Sequence, residues 1–190
     1  MTKKRYAYAG CRLVGLIIGV VLALAGGGIV TASLPLDQVD GGWQSIGPTG
    51  GLATDLLVDP NSTDHVYALV GFDLFGSTDG GSTWDKIDVS TDFFQAMSIA
   101  MCAADSETIY VGGNFGDGVR KSTDGGVNWV EASNGLSTQT IESLAVDPTN
   151  ELLVYAATGE GVFKSIDGGA GWVAANSGLT NLEANIIRVD

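Results

Sequence analysis

STDGGSTW at residues 77–84 returns as STDGGVNW at residues 122–129 and as SIDGGAGW at residues 165–172. The three octamers begin about 45 residues apart. Self-similarity at a period of roughly 20–50 residues is typical of chains built from stacked, similar supersecondary units. The 190-residue sequence therefore predicts a repeat architecture, and the octamers mark the position of each repeat.

Short apolar runs precede each octamer in the same order. In the third repeat they are Ser143–Pro148, Leu153–Ala157 and Gly161–Lys164, and turn-forming residues separate them. Such runs predict β-strands, and a fourth strand is predicted to begin at each octamer tryptophan. Four antiparallel strands in about 40–50 residues match the size of one propeller blade. The sequence thus predicts an all-β fold, a β-propeller fragment of about three four-stranded blades.

The repeat region, residues 34–190, is predicted to divide into repeats at about 44–87, 88–132 and 133–175, with the start of another at 184–190. Before the first repeat, Gly42–Ile46 resembles the opening of a fourth strand. Three blades and two partial strands fall short of a ring of four to eight blades. We therefore expect either a truncated gene product or a ring closed by several chains, with self-association through open blade edges.

The octamer has the chemistry of a tight hairpin. Its Asp accepts hydrogen bonds from nearby backbone amides, its glycines take positive φ, and its Trp carries a large apolar surface. The pattern Ser-x-Asp-Gly-Gly-x-x-Trp resembles the Asp-box, or BNR, repeat of β-propellers. The matching residues, for which a structural role is predicted, are Ser77, Asp79, Gly81 and Trp84, then Ser122, Asp124, Gly126 and Trp129, then Ser165, Asp167, Gly169 and Trp172.

The resemblance covers roughly residues 41–190 and implies a propeller with these hairpins on its outer rim. Proteins with this repeat include sialidases, xyloglucan-cleaving hydrolases, sortilin-like receptor ectodomains and photosystem II assembly factors. Because one fold serves such different functions, the resemblance alone does not choose among them.

The first 33 residues differ in kind from the repeats. A basic head is followed by the apolar run Leu13–Ala25 and by the small residues of Val30–Ala32. This order predicts a helical secretory signal cleaved near Ala32. An uncleaved membrane anchor is the alternative, because about 20 apolar residues span a bilayer. Either form places the repeats outside the cytoplasm, secreted or held at the cell envelope.

Charge and composition exclude several classes of function. With 22 Asp and Glu against nine Lys and Arg, the net charge is −13, which argues against a nucleic-acid partner. The lone His65 lacks companions for a zinc site, so no metal is predicted, although calcium bound by loop carboxylates stays open. Cys102 lies in an apolar run and is predicted to be a buried thiol. No other cofactor is predicted.

The candidate catalytic residues are few. The resemblance to sialidases implies a cluster of three arginines, and only Arg120 and Arg188 follow the leader. A glycosidase needs two carboxylates across a cleft. Asp55 and Asp92 depart from the repeat and are the candidates for such a role. We interpret the chain as an exported binding or scaffolding module for a protein or carbohydrate ligand, and part of a secreted glycoside hydrolase is the alternative.

Overall fold

The computed structural model describes residues 46–48, 51–90 and 94–189. These residues belong to one compact body, Gln44–Asp190. The predicted N-terminal signal or anchor, most of the predicted strand at 42–46, and Asp92 lie outside the described residues. No helix long and apolar enough to cross a membrane occurs in the described part of the chain.

Twelve strands form three antiparallel sheets of four strands within the described residues. The first sheet contains β1 (Ala53–Val58), β2 (Val66–Val70), β3 (Asp73–Ser77) and β4 (Asp85–Ile87). The second contains β5 (Ala96–Cys102), β6 (Asp105–Gly113), β7 (Val119–Ser122) and β8 (Val130–Glu131). The third contains β9 (Ser143–Asp147), β10 (Asn150–Thr158), β11 (Gly161–Ser165) and β12 (Val173–Ala174).

The strands of each sheet pair in chain order, so each sheet is a simple meander of the kind that forms a propeller blade. This confirms the predicted all-β propeller fold. The fourth strand of each sheet begins one residue after the octamer tryptophan, not at it. We call the three sheets the first, second and third repeat, and residues 77–84, 122–129 and 165–172 their box loops.

The second sheet is buried on both faces because it packs between the other two. Along β6 the side chains alternate: Ile109 and Val111 join the core shared with the first repeat, and Tyr110 joins the core shared with the third. All three are fully buried. Alternation with a period of two sends successive side chains to opposite faces of a strand. An uninterrupted apolar run is therefore what a strand between two sheets requires.

Hydrogen bonds from side chains also join the repeats. The Tyr67 hydroxyl donates to the Gly125 carbonyl over 3.3 Å, and the Tyr110 hydroxyl donates to the Gly168 carbonyl over 3.0 Å. Each bond runs from the second strand of one repeat to the box loop of the next. The inter-sheet packing thus sets where each box loop stands.

Residues 184–189 form no strand, but they lie against the third repeat. The Ala184 amide donates to the Thr158 carbonyl over 3.1 Å. The Ile187 amide donates to the Ser143 hydroxyl oxygen over 3.3 Å. These contacts place the segment beside β9, on the side of the third repeat that faces away from the second.

Candidate binding cleft

The box loops are organised by their own side chains. In the first, the Ser77 hydroxyl donates to the Asp79 carboxylate over 2.8 Å and accepts from the Gly81 amide over 2.8 Å. The Asp79 carboxylate also accepts from the Thr83 amide over 2.8 Å. The same set recurs in the second and third loops, with Asn128 and Gly171 in the place of Thr83. The aspartates therefore serve the loop itself.

Two consecutive glycines allow this loop to close. Gly80 and Gly81 have φ of 67° and 91°, a region that residues with a side chain rarely adopt. The turn that they form brings the amide of Gly81 onto the Ser77 oxygen. The octamer is thus a self-supporting hairpin turn, as its composition predicts.

Ionised aspartates are favoured in these loops. Hydrogen bonds from the Thr83 amide, the Thr83 hydroxyl and the Ser77 hydroxyl lower the pKa of Asp79 to about 2. Equivalent hydrogen bonds lower the pKa of Asp124, chiefly from Asn128, and of Asp167, chiefly from Ser165. A general acid at neutral pH needs a raised pKa, so these carboxyl groups are suited to holding a loop and not to donating protons.

Two box tryptophans donate hydrogen bonds to the chain that precedes their own repeat. The Trp172 indole N–H donates to the Ala132 carbonyl over 2.8 Å, and Ala132 belongs to the second repeat. The Trp84 indole N–H donates to the carbonyl of Ile46, which stands three residues after Trp43 just as Ala132 stands three after Trp129. Ile46 thus occupies the place of a fourth-strand residue from a preceding repeat.

Asp55, a candidate catalytic residue, joins two repeats. Its carboxylate accepts from the Ile99 amide of β5 over 3.1 Å and from the Leu56 amide over 3.0 Å. At the equivalent position of the second repeat, the Ser98 hydroxyl oxygen accepts from the Leu144 amide over 3.0 Å. Sequence analysis singled out Asp55 because it departs from the repeat.

Ser143 repeats this arrangement through Ile187. We call the three contacts the inner clasps, since each ties the first strand of one repeat to the chain that follows. Aligning Asp55, Ser98 and Ser143 by repeat position would have revealed the shared role, because all three side chains can accept an amide hydrogen bond. A catalytic role for Asp55 or for Asp92 stays a prediction.

Cys102 is fully buried, and its thiol donates to the Asp147 carbonyl over 3.2 Å. Among the described residues, no group of three His, Cys, Asp or Glu side chains is placed to hold a metal ion. His65 has one acidic neighbour instead: its Nδ1 lies 3.7 Å from an oxygen of the buried Asp59.

A half-open cleft of about 240 Å³ lies between the first and second repeats. Tyr67 and Ile87 form its apolar walls. Gly125 of the second box loop, whose carbonyl accepts the Tyr67 hydroxyl, also lines it. Three acidic residues line it, Asp59, Asp85 and Glu107; Asp59 is buried, and the other two are exposed. We call this feature the acidic cleft.

The charge of the acidic cleft is not balanced by its own residues. His65 is the one lining residue that can become a cation, and no lining residue is Lys or Arg. Burial, together with the negative charges of Asp59 and Glu107, raises the pKa of Tyr67. The sequence alone does not reveal the cleft, because the cleft depends on how two repeats about 45 residues apart pack together.

Comparison with known proteins supports the fold. No family model and no curated protein matches the sequence. Among solved structures, a GH74 enzyme of Niastella koreensis aligns at a TM-score of 0.55 with 25% identity, over 64% of this chain and 22% of the other. The GH74 xyloglucanase of Xanthomonas campestris aligns at 0.53 with 21% identity, over 64% and 21%.

A third similar structure is that of YCF48 bound to D1 peptide, at a TM-score of 0.56 and 18% identity. The match covers 67% of this chain and 41% of that one. This chain therefore spans about a fifth of the GH74 chains and about two fifths of YCF48. The likeness establishes the propeller fold, and the activities of those proteins are not carried over with it.

Proposed function

We propose that the chain is an exported binding module that holds a polypeptide partner, with the acidic cleft as its binding site. The observation that carries the proposal is the cleft itself, which is lined by three acidic residues and by Gly125 of the second box loop. Concave sites with apolar walls and a few convergent polar groups are where proteins most often bind ligands.

The charge of the whole chain favours a basic partner. Its net charge of −13 creates a negative potential, and such a potential attracts cations and speeds their association. A polypeptide carrying Lys or Arg has the complementary charge. Because exposed charges are screened by salt, we expect binding that weakens as ionic strength rises.

The comparison with YCF48 supports a peptide ligand in particular. That propeller was solved with a peptide bound, so its fold accommodates one. At 18% identity the likeness concerns the backbone. The residues proposed to contact a partner are therefore those that line the cleft of this chain.

Part of a secreted glycoside hydrolase is the second candidate, favoured by the GH74 structures among the similar folds. Such an enzyme needs one carboxyl group with a raised pKa as general acid and a second carboxylate across the substrate. The box aspartates have lowered pKa values, and the Asp55 carboxylate is engaged by two backbone amide donors, those of Ile99 and Leu56. These residues therefore favour binding over hydrolysis.

One experiment compares both candidates on the full-length chain, purified in a mild detergent. Fluorescence anisotropy measures binding of a labelled lysine–glycine peptide and of a glutamate–glycine peptide of the same length. Reducing-sugar release measures hydrolysis of xyloglucan. We expect the basic peptide alone to bind and no sugar to be released. Equal binding of both peptides, no peptide binding, or xyloglucan hydrolysis that Asp55→Asn abolishes would overturn the proposal.

A further inference from the structure

The interface between the second and third repeats contains a built-in ammonium site. Lys121 Nζ donates to the Gly168 carbonyl over 3.0 Å, and the same carbonyl accepts the Tyr110 hydroxyl. The ammonium group also lies 5.4 Å from the centroid of the Tyr110 ring, within the range of a cation–π interaction. The Gly168 carbonyl and the Tyr110 ring together hold one cation against the third box loop.

At the interface between the first and second repeats this cation is absent, because Gly76 takes the place of Lys121. Both residues directly precede the box serine, and both pair with the tyrosine of the second strand, Gly76 with Tyr67 and Lys121 with Tyr110. Gly76 has no side chain that could supply a cation, and it lines the acidic cleft beside Ile87. The carbonyl of Gly125 accepts one hydrogen bond there, the 3.3 Å bond from Tyr67.

A carboxylate lies beside the place that corresponds to the Lys121 ammonium, because Glu107 takes the position of Leu152: the Gly125 amide donates to the Glu107 carbonyl as the Gly168 amide donates to that of Leu152. Lys121 Nζ lies 3.0 Å from the point where a Cβ on Gly168 would stand, and Glu107 Oε2 lies 3.0 Å from the corresponding point on Gly125. Within the described residues, neither ion pair with a cationic side chain involves Glu107: they join His65 to Asp59 and Lys86 to Asp73. The carboxylate thus faces the cleft without a counterion.

We propose that the acidic cleft binds the primary ammonium group of a lysine side chain, presented by a partner polypeptide. The ammonium donates to the Gly125 carbonyl and pairs with Glu107, in the place that Lys121 Nζ takes in the next interface. Tyr67 and Ile87 flank the aliphatic stem of the ligand. This inference rests on the proposed binding function and names the chemical group that the cleft selects.

Isothermal titration calorimetry of the full-length chain in mild detergent tests it, with Nα-acetyl-lysine methylamide as the probe. The same compound acetylated on Nε has lost its charge and serves as the neutral probe. Glu107→Gln removes the proposed counterion. Gly76→Lys supplies an internal ammonium to the cleft. Glu131→Gln is the matched control, since Glu131 is an exposed carboxylate of the second repeat that does not line the cleft.

We expect the charged probe to bind and the neutral probe not to bind. Glu107→Gln should weaken binding by about fivefold, the range of one partly exposed ion pair. Gly76→Lys should abolish binding, and Glu131→Gln should leave it unchanged. A Cβ on residue 76 would lie 2.8 Å from Ile87 Cδ1, so the end of that side chain must shift. Should Gly76→Lys fail to fold, Glu107→Gln decides the test.

Equal affinity for the charged and neutral probes, or no effect of Glu107→Gln, would overturn the inference. Stronger binding of the arginine analogue than of the lysine probe would overturn the choice of a primary ammonium. The labelled lysine–glycine peptide distinguishes failure of the binding function from failure of the proposed lysine site. If it binds the wild type and Glu107→Gln equally, the chain binds a basic peptide, but the assignment of the site to the acidic cleft is wrong. If it binds neither, both proposals fail.

Discussion

The hydroxyl of Tyr110 donates to the carbonyl of Gly168 over 3.0 Å and so fastens the second repeat to the box loop of the third. Tyr67 makes the same contact with Gly125 over 3.3 Å. Tyr155 has the equivalent position in the third repeat, is half-buried, and its hydroxyl has no hydrogen-bond partner among the described residues. The tyrosine at this repeat position thus makes a hydrogen bond of 3.0 Å in the second repeat, one of 3.3 Å in the first, and none among the described residues in the third.

We predict that Tyr110→Phe destabilises the fold by about 1 kcal/mol, the net contribution of a buried hydrogen bond. Tyr155→Phe, the matched control, should change the free energy of unfolding by less than about 0.5 kcal/mol. Urea unfolding followed by tryptophan fluorescence measures both. Equal destabilisation by the two variants would mean that the Tyr155 hydroxyl has a partner beyond the described residues.

Acid should weaken the box loops in a defined pH range. The pKa of Asp79 is about 2 in the folded chain, against about 3.9 in an unfolded one. A group with a lowered folded pKa stabilises the fold above its unfolded pKa, and that stabilisation is lost as the pH falls toward its folded pKa. The same direction holds for Asp124 and Asp167.

We therefore predict a free energy of unfolding that is insensitive to these groups above about pH 5 and falls between about pH 4 and 2. Asp79→Asn should flatten part of that fall and lower stability at neutral pH. Urea unfolding at a series of pH values measures the profile. A steeper fall in Asp79→Asn than in the wild type would contradict the assignment.

The octamers were sufficient to predict the box loops, because the Ser, Asp and Gly groups that organise each turn lie within eight residues. The Ser77 hydroxyl bonds both Asp79 and Gly81, so the short spacing of these residues in the sequence is enough to predict the contact. The strands were predictable from composition. For example, β6 lies between two sheets, and burial on both faces requires the unbroken apolar run that the sequence shows.

The acidic cleft was not predictable in this way, because it depends on a missing side chain and on contacts across the repeats. Comparison of Gly76 with Lys121 by repeat position shows where a side chain is lost. Glu107 lies next to Gly125 within the second repeat, and the cleft forms because Tyr67 and Ile87 of the first repeat pack against them. The spacing of residues in the sequence is enough to predict a loop. A site between two repeats can be found only when the packing of their sheets is known.

The inner clasp at Asp55 leads to a prediction that separates structure from catalysis. Asp55→Ser should keep the fold close to wild-type stability, because serine makes the same contact at positions 98 and 143. Asp55→Ala leaves the Ile99 amide without its side-chain acceptor and should cost about 1 kcal/mol. Urea unfolding measures both. Equal decreases in the free energy of unfolding in the two variants would contradict the idea that any hydrogen-bond acceptor at residue 55 can make this contact.

Burial of Cys102 predicts how its thiol reacts. The side chain is fully buried and its Sγ lies 3.2 Å from the Asp147 carbonyl, so it joins the second repeat to the third. A thiol must meet the reagent in solvent before it can be alkylated, and burial prevents that contact. In a Cys11→Ser variant, which leaves Cys102 as the one thiol, iodoacetamide should label the chain only as fast as the fold opens. The labelling rate should therefore rise with urea in parallel with the unfolded fraction, and Tyr110→Phe should raise it further by weakening the same interface. Rapid labelling without urea, at the rate of a free cysteine, would show that this edge of the second repeat opens independently of the rest.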